Sequence, residues 1–219
     1  MNRVRTKICG ITSIEDGQAA VTAGADAIGL VFHAGSPRAV SIEQAAPIAT
    51  CLAPLVTRVA LFMDRDADYV RRVLDQVDID LLQFHGSESP AFCRQFGRAY
   101  MKAVPMGEPD VDLAQWSRDF ADARALLLDA HRAGEAGGTG QRFAWTGDMN
   151  VAALPLMIAG GLTPDNVAAA ITRFAPYAVD VSSGVESAPG IKDSAKMCAF
   201  VDAALKTPYS RLVARNLHE

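Results

Sequence analysis

The stretch Val179-Asp180-Val181-Ser182-Ser183-Gly184 decides the fold, because a short apolar run ends there in polar and glycine residues. Other apolar runs end in the same way, at Cys9-Gly10, at His85-Gly86, at Asp129 and at Gly160-Gly161. In a parallel barrel the carboxyl ends of all strands lie on one face. We therefore predict that these strand ends meet around one pocket, which is typical of an enzyme.

Strand-like runs alternate with helix-like runs along the chain. We predict strands near Arg5–Cys9, Ala27–Phe32, Thr57–Phe62, Leu81–His85, Tyr100–Val104, Leu126–Asp129, Leu156–Ala159 and Val179–Ser182. We predict helices near Ser13–Ala23, Ile42–Leu52, Asp66–Gln76, Pro90–Phe96, Val111–Phe120, Pro164–Phe174 and Asp193–Lys206. This alternation predicts an α/β protein, a single (β/α)8 TIM barrel. An open doubly wound sheet is the alternative, but its reactive ends would cluster at one switch point.

No domain boundary interrupts the chain, so we expect one barrel over residues 1–206 and a C-terminal tail over residues 207–219. The crossover after the sixth strand lacks a long helix and carries the run Gly137-Gly138-Thr139-Gly140. This run is interpreted either as a flexible surface loop or as a lid that excludes water from the pocket.

Three local patterns predict where helices begin. Thr12 with Glu15, and Ser41 with Gln44, have the spacing of a capping box, in which side chains satisfy free backbone N–H groups. Pro164 follows Thr163 and suits the first helical position. We therefore predict helices that begin at these three places.

Composition narrows the partners and the location. The chain has 219 residues, a net charge of −4 and a pI near 5.6, and no long basic stretch points to nucleic acid. No apolar run reaches the ~18 residues that a membrane helix needs, and the N-terminus has no signal-peptide pattern, so we expect a cytoplasmic protein. The cysteines at 9, 51, 93 and 198 form no C-x-x-C pair, so their spacing does not support structural zinc.

Every second residue of a strand points to the same face. Three polar residues therefore share the inward face with the strand-end residues, namely Lys7, Gln83 and Asp180. A purely structural core would avoid buried polar groups, because burying them without partners is unfavourable. Their presence supports a functional site in the upper part of the barrel.

Taken singly, most of these residues have an ordinary structural explanation. A buried Cys9 can simply pack, Asp129 can cap a helix, His85 can be a hydrogen-bonded core histidine, and Arg38 can be a solvated loop charge. The glycine and serine runs can be plain turns. Their combination in one barrel is what favours a functional interpretation.

The loops after strands seven and eight form a more specific pair. Barrels of this type often bind phosphate with backbone N–H groups in those two loops. We therefore predict a phosphate site at Gly160, Gly161, Ser182, Ser183 and Gly184.

Ordered motifs across most of the chain give it a family resemblance. They run from Lys7-Ile8-Cys9-Gly10-Ile11 through Ser36-Pro37-Arg38, Gln83-Phe84-His85-Gly86, Leu128-Asp129 and Gly137-Gly138-Thr139-Gly140 with Phe143 and Trp145, to residues 159–167 and Asp180-Val181-Ser182-Ser183-Gly184-Val185-Glu186. With these motifs in this order, the chain resembles the phosphoribosylanthranilate isomerases of tryptophan biosynthesis.

The resemblance implies a barrel of the ribulose-phosphate-binding type and a cofactor-free Amadori rearrangement, the reaction of an aldose–ketose isomerase. The substrate would be N-(5-phosphoribosyl)anthranilate, and the product 1-(2-carboxyphenylamino)-1-deoxyribulose 5-phosphate. The family's general base maps onto Cys9, its general acid onto Asp129, and the residue that holds the anthranilate carboxylate onto Arg38. Further substrate-binding positions map onto Lys7, His85 and Asp180, and the phosphate site onto the loops already named.

The chemistry sets requirements on both groups. An ordinary Asp has a pKa near ~3.9, so Asp129 can donate a proton only if the site raises its pKa. A thiol with a pKa near ~8.5 is mostly protonated at neutral pH. Cys9 must therefore have a lowered pKa or react through its minor thiolate, and we infer that Lys7 supplies positive potential beside it.

Competing functions remain at this point. Other ribose-phosphate barrels, such as a histidine-pathway isomerase or an indole-forming synthase, share the phosphate loops, but strand one here ends in Cys9 rather than in a carboxylate. A sugar-phosphate-binding barrel without catalysis would not need Cys9 with Asp129. A zinc site at His33, His85 and His131 lacks ligand spacing. The partner is a small molecule, and the sequence leaves a monomer and a homodimer open.

Overall fold

A computed structural model of the chain describes residues 3–130 and 152–208. The strands are β1 (Arg5–Cys9), β2 (Ala27–Val31), β3 (Thr57–Phe62), β4 (Leu81–Phe84), β5 (Tyr100–Pro105), β6 (Ala125–Asp129), β7 (Leu156–Ile158), β8 (Ala178–Val181), β9 (Glu186–Ala188) and β10 (Ile191–Lys192). The helices are α1 (Ile14–Thr22), α2 (Ile42–Thr50), α3 (Ala67–Gln76), α4 (Pro90–Arg94), α5 (Leu113–Asp119), α6 (Val167–Phe174) and α7 (Ser194–Lys206).

Strands β1 to β8 form a closed parallel barrel in chain order. The barrel closes where β1 pairs with β8, in a register that sets Lys7 beside Asp180. Each strand agrees with its predicted range to within one residue at either end. The predicted (β/α)8 barrel is therefore confirmed, and all carboxyl ends of its strands lie at one rim.

Apolar side chains form two layers on either side of the strands. Inside the barrel, Val59, Met101 and Leu127 belong to a small cluster of buried inward-facing residues. Outside it, a larger cluster fills the space between strands and helices, with Phe62 and Phe84 among its largest members. The inward face also carries the buried polar residues Lys7, Gln83 and Asp180.

The helix starts follow local capping, with one prediction confirmed and one wrong. At α2, Ser41 accepts from Gln44 N at 3.2 Å while the Gln44 side chain accepts from Ser41 N at 2.9 Å, so the capping box is confirmed. At α1 the cap is Ser13, which accepts from Asp16 N at 3.1 Å. Thr12 instead donates its hydroxyl to the backbone of Gly190 at 2.7 Å, a distant contact that local spacing does not predict.

The helix after β7 begins later than predicted. Pro164 is not its first residue, because α6 starts at Val167. The intervening turn is held by the Asn166 side chain, which accepts from Thr163 N at 2.8 Å and donates to Gly161 O at 2.9 Å. These bonds favour a tight turn over an earlier helix start, and they fix the loop that follows β7.

A small hairpin lies between β8 and α7, where the sequence predicted only a connection. After a 3₁₀ turn at Ser183–Val185, β9 and β10 pair antiparallel. The predicted lid at Gly137, Gly138, Thr139 and Gly140 and most of the predicted tail lie outside the described residues, so these remain predictions. Within the described ranges, none of the helices has the length and apolar character needed to span a bilayer.

Candidate active site

A cavity lies at the carboxyl ends of the barrel strands. Its lining includes most of the predicted site residues, namely Cys9, Arg38, His85, Asp129, Gly160, Gly161, Asp180, Ser182 and Ser183. Lys7 and Gly184 do not line it. Residues from six strand ends or their loops thus come together at one mouth, as the spacing of the motifs predicts.

Lys7 lies behind the cavity wall and joins two of its residues. Its ammonium donates to Asp180 Oδ1 at 2.9 Å, with both side chains buried. Gly29 of β2 lies opposite Cys9, and a Cβ there would come within 2.7 Å of the Cys9 Sγ and 3.2 Å of the Lys7 Nζ. The glycine therefore leaves the space in which the ammonium and the thiol approach each other.

The environment of Cys9 raises the pKa of its thiol. Burial is the largest cause, and the Asp180 carboxylate adds to it, while the Lys7 ammonium lowers the pKa without offsetting them. Burial likewise lowers the pKa of Lys7, but Asp180 and Cys9 raise it more, so the ammonium stays charged. Lys7 thus supplies the predicted positive potential, yet the thiolate is a minor species in this cavity.

Asp129 lies against an ordered histidine. His85 Nε2 is 3.2 Å from Asp129 Oδ2, and Gln83 Nε2 is 2.9 Å from His85 Nδ1. With Gln83 donating to Nδ1, a neutral His85 carries its proton on Nε2, facing the carboxylate. The alternation of side chains along a strand predicts that Gln83 and His85 share a face, and their hydrogen bond confirms this.

Arg38 crosses the end of β1. A Cβ on Gly10 would lie 2.5 Å from the Arg38 Cδ, so the glycine after Cys9 gives the arginine its path. The guanidinium donates from Nε to Glu186 Oε1 at 2.7 Å and from Nη2 to Glu186 Oε2 at 2.8 Å. Arg38 is therefore a held, buried cation at the cavity wall rather than a solvated loop charge.

Glycines allow the loops after β7 and β8, where a phosphate site is predicted, to lie close to the cavity. Gly160 has φ +83°, and a Cβ there would lie 2.7 Å from Ala130 N and 2.9 Å from Asp129 Oδ1. A Cβ on Gly184 would lie 1.9 Å from the carbonyl oxygen of Leu162, so this glycine brings the loop after β8 against the loop after β7. Gly184 thus acts through backbone packing behind the lining.

Two charged residues next to the site were not predicted. Glu186 and Lys192 lie on the hairpin strands β9 and β10, where the Lys192 ammonium donates to Glu186 Oε1 at 2.8 Å and to Ser182 O at 3.1 Å. Glu186 ends the last of the sequence motifs quoted above, but its partner Arg38 is 148 positions earlier. The alternation of residues along a strand or helix does not predict the pairing of Arg38 with Glu186.

Among the residues that the structure describes, no three His, Cys, Asp or Glu side chains are grouped in a way that could hold a metal ion. Of the three histidines considered above, His33 and His85 line the cavity, and His131 lies outside the described residues.

Comparison with known proteins agrees with the barrel fold. The family model described as N-(5'phosphoribosyl)anthranilate (PRA) isomerase matches residues 6–203. An N-(5'-phosphoribosyl)anthranilate isomerase from Cellvibrio japonicus is 51% identical over 206 residues, covering 94% of this chain and 95% of that one. The crystal structure of phosphoribosyl anthranilate isomerase from Thermus thermophilus has a TM-score of 0.82 at 34% identity, covering 91% and 98% of the two chains.

A further solved structure carries a ligand. It is a phosphoribosyl anthranilate isomerase in complex with reduced 1-(o-carboxyphenylamino)-1-deoxyribulose 5-phosphate, with a TM-score of 0.77, 35% identity and coverage of 92% and 98%. The match extends over nearly the whole barrel, including every strand end that lines the cavity. The chain belongs to the N-(5'-phosphoribosyl)anthranilate isomerase family.

Proposed function

We propose that the chain converts N-(5-phosphoribosyl)anthranilate to 1-(2-carboxyphenylamino)-1-deoxyribulose 5-phosphate, with Cys9 as general base and Asp129 as general acid. The observation that carries this proposal is that a thiol from β1 and a carboxyl from β6 line the same cavity. These strands are not neighbours in the barrel, so the two groups approach a bound sugar from different sides. An Amadori rearrangement needs proton donation at one atom and proton removal at another.

The first step is opening of the sugar ring. The protonated Asp129 carboxyl gives its proton to the ring oxygen, the bond between that oxygen and C1′ breaks, and the nitrogen lone pair forms an iminium at C1′. Asp129 is left as a carboxylate. His85 Nε2 lies 3.2 Å from its Oδ2, and the N–H edge of the ring supports that charge electrostatically.

The second step is removal of the proton from C2′. The Cys9 thiolate takes it, the iminium accepts the electron pair, and a neutral enolamine results. The enolamine then becomes the ketone by losing the proton of its hydroxyl and gaining one at C1′. One proton has moved from Asp129 to Cys9, and its return through solvent restores the starting state.

This cycle requires a thiolate together with a protonated carboxyl. Because burial and Asp180 raise the pKa of the Cys9 thiol, only a small fraction of the protein holds that arrangement. The Lys7 ammonium increases the fraction by lowering the pKa of the thiol. Lys7 therefore acts through Cys9 and Asp180, and the direct substrate contact that the resemblance implies for it stays a prediction.

Substrate binding uses two ends of the cavity. Arg38 binds the anthranilate carboxylate, since a guanidinium matches a carboxylate with two parallel hydrogen bonds. The phosphate binds where Gly160, Gly161, Ser182 and Ser183 line the cavity, with backbone N–H groups as donors. The sugar between them then lies within reach of both reacting groups.

Two substitutions test the acid and the base. We expect Cys9→Ala and Asp129→Asn each to lower kcat by about 10²–10⁴-fold, the usual contribution of one proton transfer. The substrate is generated in situ from anthranilate and phosphoribosyl pyrophosphate, and loss of its anthranilate-type fluorescence is followed. Cys198→Ala is the matched control, since that thiol is exposed on α7.

Binding of the reduced product analogue by the same variants separates chemistry from folding. We expect its dissociation constant to change by less than about threefold in both, because neither substitution removes the carboxylate or phosphate subsite. Near-normal turnover by either variant removes that residue from its role. A cytoplasmic location, a homodimeric state and a barrel that ends at residue 206 stay predictions.

A further inference from the structure

The inference concerns the carboxylate end of the cavity and rests on the proposed function of Arg38. Glu186 follows the 3₁₀ turn after β8 and accepts two hydrogen bonds from the Arg38 guanidinium, at 2.7 and 2.8 Å. Both residues are buried, at 7% and 8% exposure. Two parallel charge-assisted bonds in a buried setting fix the plane of the guanidinium as well as its position.

Lys192 completes a buried charge cluster with these two residues. Its ammonium lies 2.8 Å from Glu186 Oε1, and the backbone oxygen of Glu186 accepts from Lys196 at 2.7 Å. Burial raises the pKa of Glu186, but Arg38 and Lys192 lower it more, so the carboxylate is charged at neutral pH. The cluster of two cations and one anion therefore keeps one positive charge to offer at the cavity.

The bonding pattern leaves a defined face of the arginine for a ligand. A guanidinium has five N–H donors, and Glu186 takes those on Nε and one on Nη2. Of the three remaining donors, one on Nη1 and the second on Nη2 form the end edge of the fork. That edge also matches a carboxylate with two bonds, and Arg38 lines the cavity.

We propose that Glu186 is a positioning residue that holds Arg38 edge-on to the cavity and thereby sets the specificity for a substrate with a carboxylate on its aryl amine. If Glu186 is removed, the side chains of Arg38 and Lys192 repel each other, and the arginine side chain loses its fixed direction. Ordering the donor before the substrate arrives reduces the entropy lost on binding.

The hairpin that carries Glu186 is itself attached to the arginine loop. Gly190 has φ +82°, and a Cβ there would lie 2.8 Å from the backbone oxygen of Pro37, the residue before Arg38. Lys192 donates to the backbone of Ser182 at 3.1 Å, in the loop assigned to phosphate. One short hairpin therefore fixes the distance between the carboxylate and phosphate subsites.

The test compares two ligands on each variant by calorimetry. One is the reduced product analogue with its ortho-carboxylate, and the other is the same compound with hydrogen in place of the carboxylate. The ratio of their dissociation constants measures the carboxylate contribution alone. For the unaltered chain we expect a ratio of about 10 to 100, the range for charge-assisted hydrogen bonds.

Glu186→Gln should lower this ratio at least about fivefold, while binding of the ligand without carboxylate changes less than about twofold. The KM of this variant should rise while its kcat stays nearly unchanged, because the lost contact binds the substrate and the transition state equally. Glu43→Gln, at an exposed position in the first turn of α2, removes the same charge and should leave the ratio unchanged. A drop of similar size in that control would overturn the proposal.

Equal weakening of both ligands by Glu186→Gln would mean that Glu186 only stabilises the loop, and the proposal would be wrong. If the ratio is unchanged in Glu186→Gln but falls to about 1 in Arg38→Met, Arg38 binds the carboxylate and Glu186 does not position it. An unchanged ratio in Arg38→Met would reject the carboxylate subsite of the proposed function itself. If Glu186→Gln does not fold, Glu186→Asp is measured instead. The shorter side chain of aspartate cannot reach both Arg38 and Lys192 at these distances. An unchanged ratio in Glu186→Asp would also contradict the proposal.

Discussion

Lys7→Met removes a single charge that the site uses in two ways. The ammonium lies 2.9 Å from Asp180 Oδ1, and its side chain is 1% exposed. It also lowers the pKa of the Cys9 thiol more than Lys192, the other cation that acts on that thiol, does. Methionine keeps most of the apolar length of lysine, so the substitution leaves packing nearly intact and leaves Asp180 as a buried carboxylate without its cation.

The expected loss of stability follows from that unbalanced carboxylate. Removing one partner of a buried pair costs about 3–5 kcal/mol. For a chain of this size each kcal/mol lowers Tm by about 2–4 °C, so we expect Tm to fall by about 6–20 °C. The double variant Lys7→Met with Asp180→Asn removes the unbalanced charge and should recover most of that loss.

The stabilisation that Lys7 provides depends on pH. Burial lowers its pKa, but Asp180 and Cys9 raise it more, so its folded pKa is above the usual 10.5. The stabilisation that it provides is therefore fully present below pH 10.5 and is lost as pH rises through the folded pKa. Measurements at pH 7 to 8 thus record the whole effect.

Alkylation of Cys9 by iodoacetamide separates the electrostatic role from the structural one. In the unaltered chain the rate should rise through pH 9 without levelling, because the pKa of the thiol is raised above that usual value. Lys7→Met should slow the reaction at pH 8 about tenfold or more, since each 1.36 kcal/mol of lost interaction is one pKa unit. The exposed thiol of Cys198, followed by mass spectrometry in the same sample, is the internal control.

Asp180→Asn should change the rate in the opposite direction, because the Asp180 carboxylate raises the pKa of the thiol. If Lys7→Met left the alkylation of Cys9 unchanged relative to Cys198, while stability fell as expected, Lys7 would be a structural cation only. Its charge would then have no effect on the thiolate, and the kcat of the double variant should equal that of Asp180→Asn alone.

Two further substitutions test smaller features. Gly184→Ala introduces a Cβ that would lie 1.9 Å from Leu162 O, so the loops after β7 and β8 must separate. We expect the reduced product analogue to bind at least about tenfold more weakly. Unchanged affinity by calorimetry would contradict this. Ser41→Ala removes the capping box of α2 and should cost about 1 kcal/mol, a fall in Tm of about 2–4 °C with kcat preserved, and a Tm that does not move would show that the cap contributes nothing.

The barrel strands could be predicted because their signal is local. Each apolar run has the length of a strand and most of them end in a polar residue or glycine, so β1 and β8 could be located without any knowledge of their pairing. The helix start at Val167 could not, because the Asn166 side chain bonds backwards to Thr163 and Gly161 and holds a turn where proline suggested a helix.

The site was predictable only for residues that sit at strand ends. Cys9, His85 and Asp129 are there by sequence position, and a barrel brings them together automatically. The pairing of Arg38 with Glu186 depends on a hairpin of three- and two-residue strands, which is too short to show a period. Contacts between such distant positions come from the tertiary structure alone.

Burial of a charge pair does not by itself identify a functional residue in this barrel. Lys102 and Glu88 form another buried pair at 3.0 Å, but Lys102 lies on β5 in register with Phe84 of β4, which belongs to the outer cluster, and neither residue lines the cavity. Glu88 accepts from the backbone N of Asp64 and of Gly86, so this pair fixes two loops beside His85. Both pairs carry the desolvation that burial imposes on charges. What distinguishes Lys7 and Asp180 is their place on the inward face of adjacent strands, where a cation can act on a thiol in the cavity.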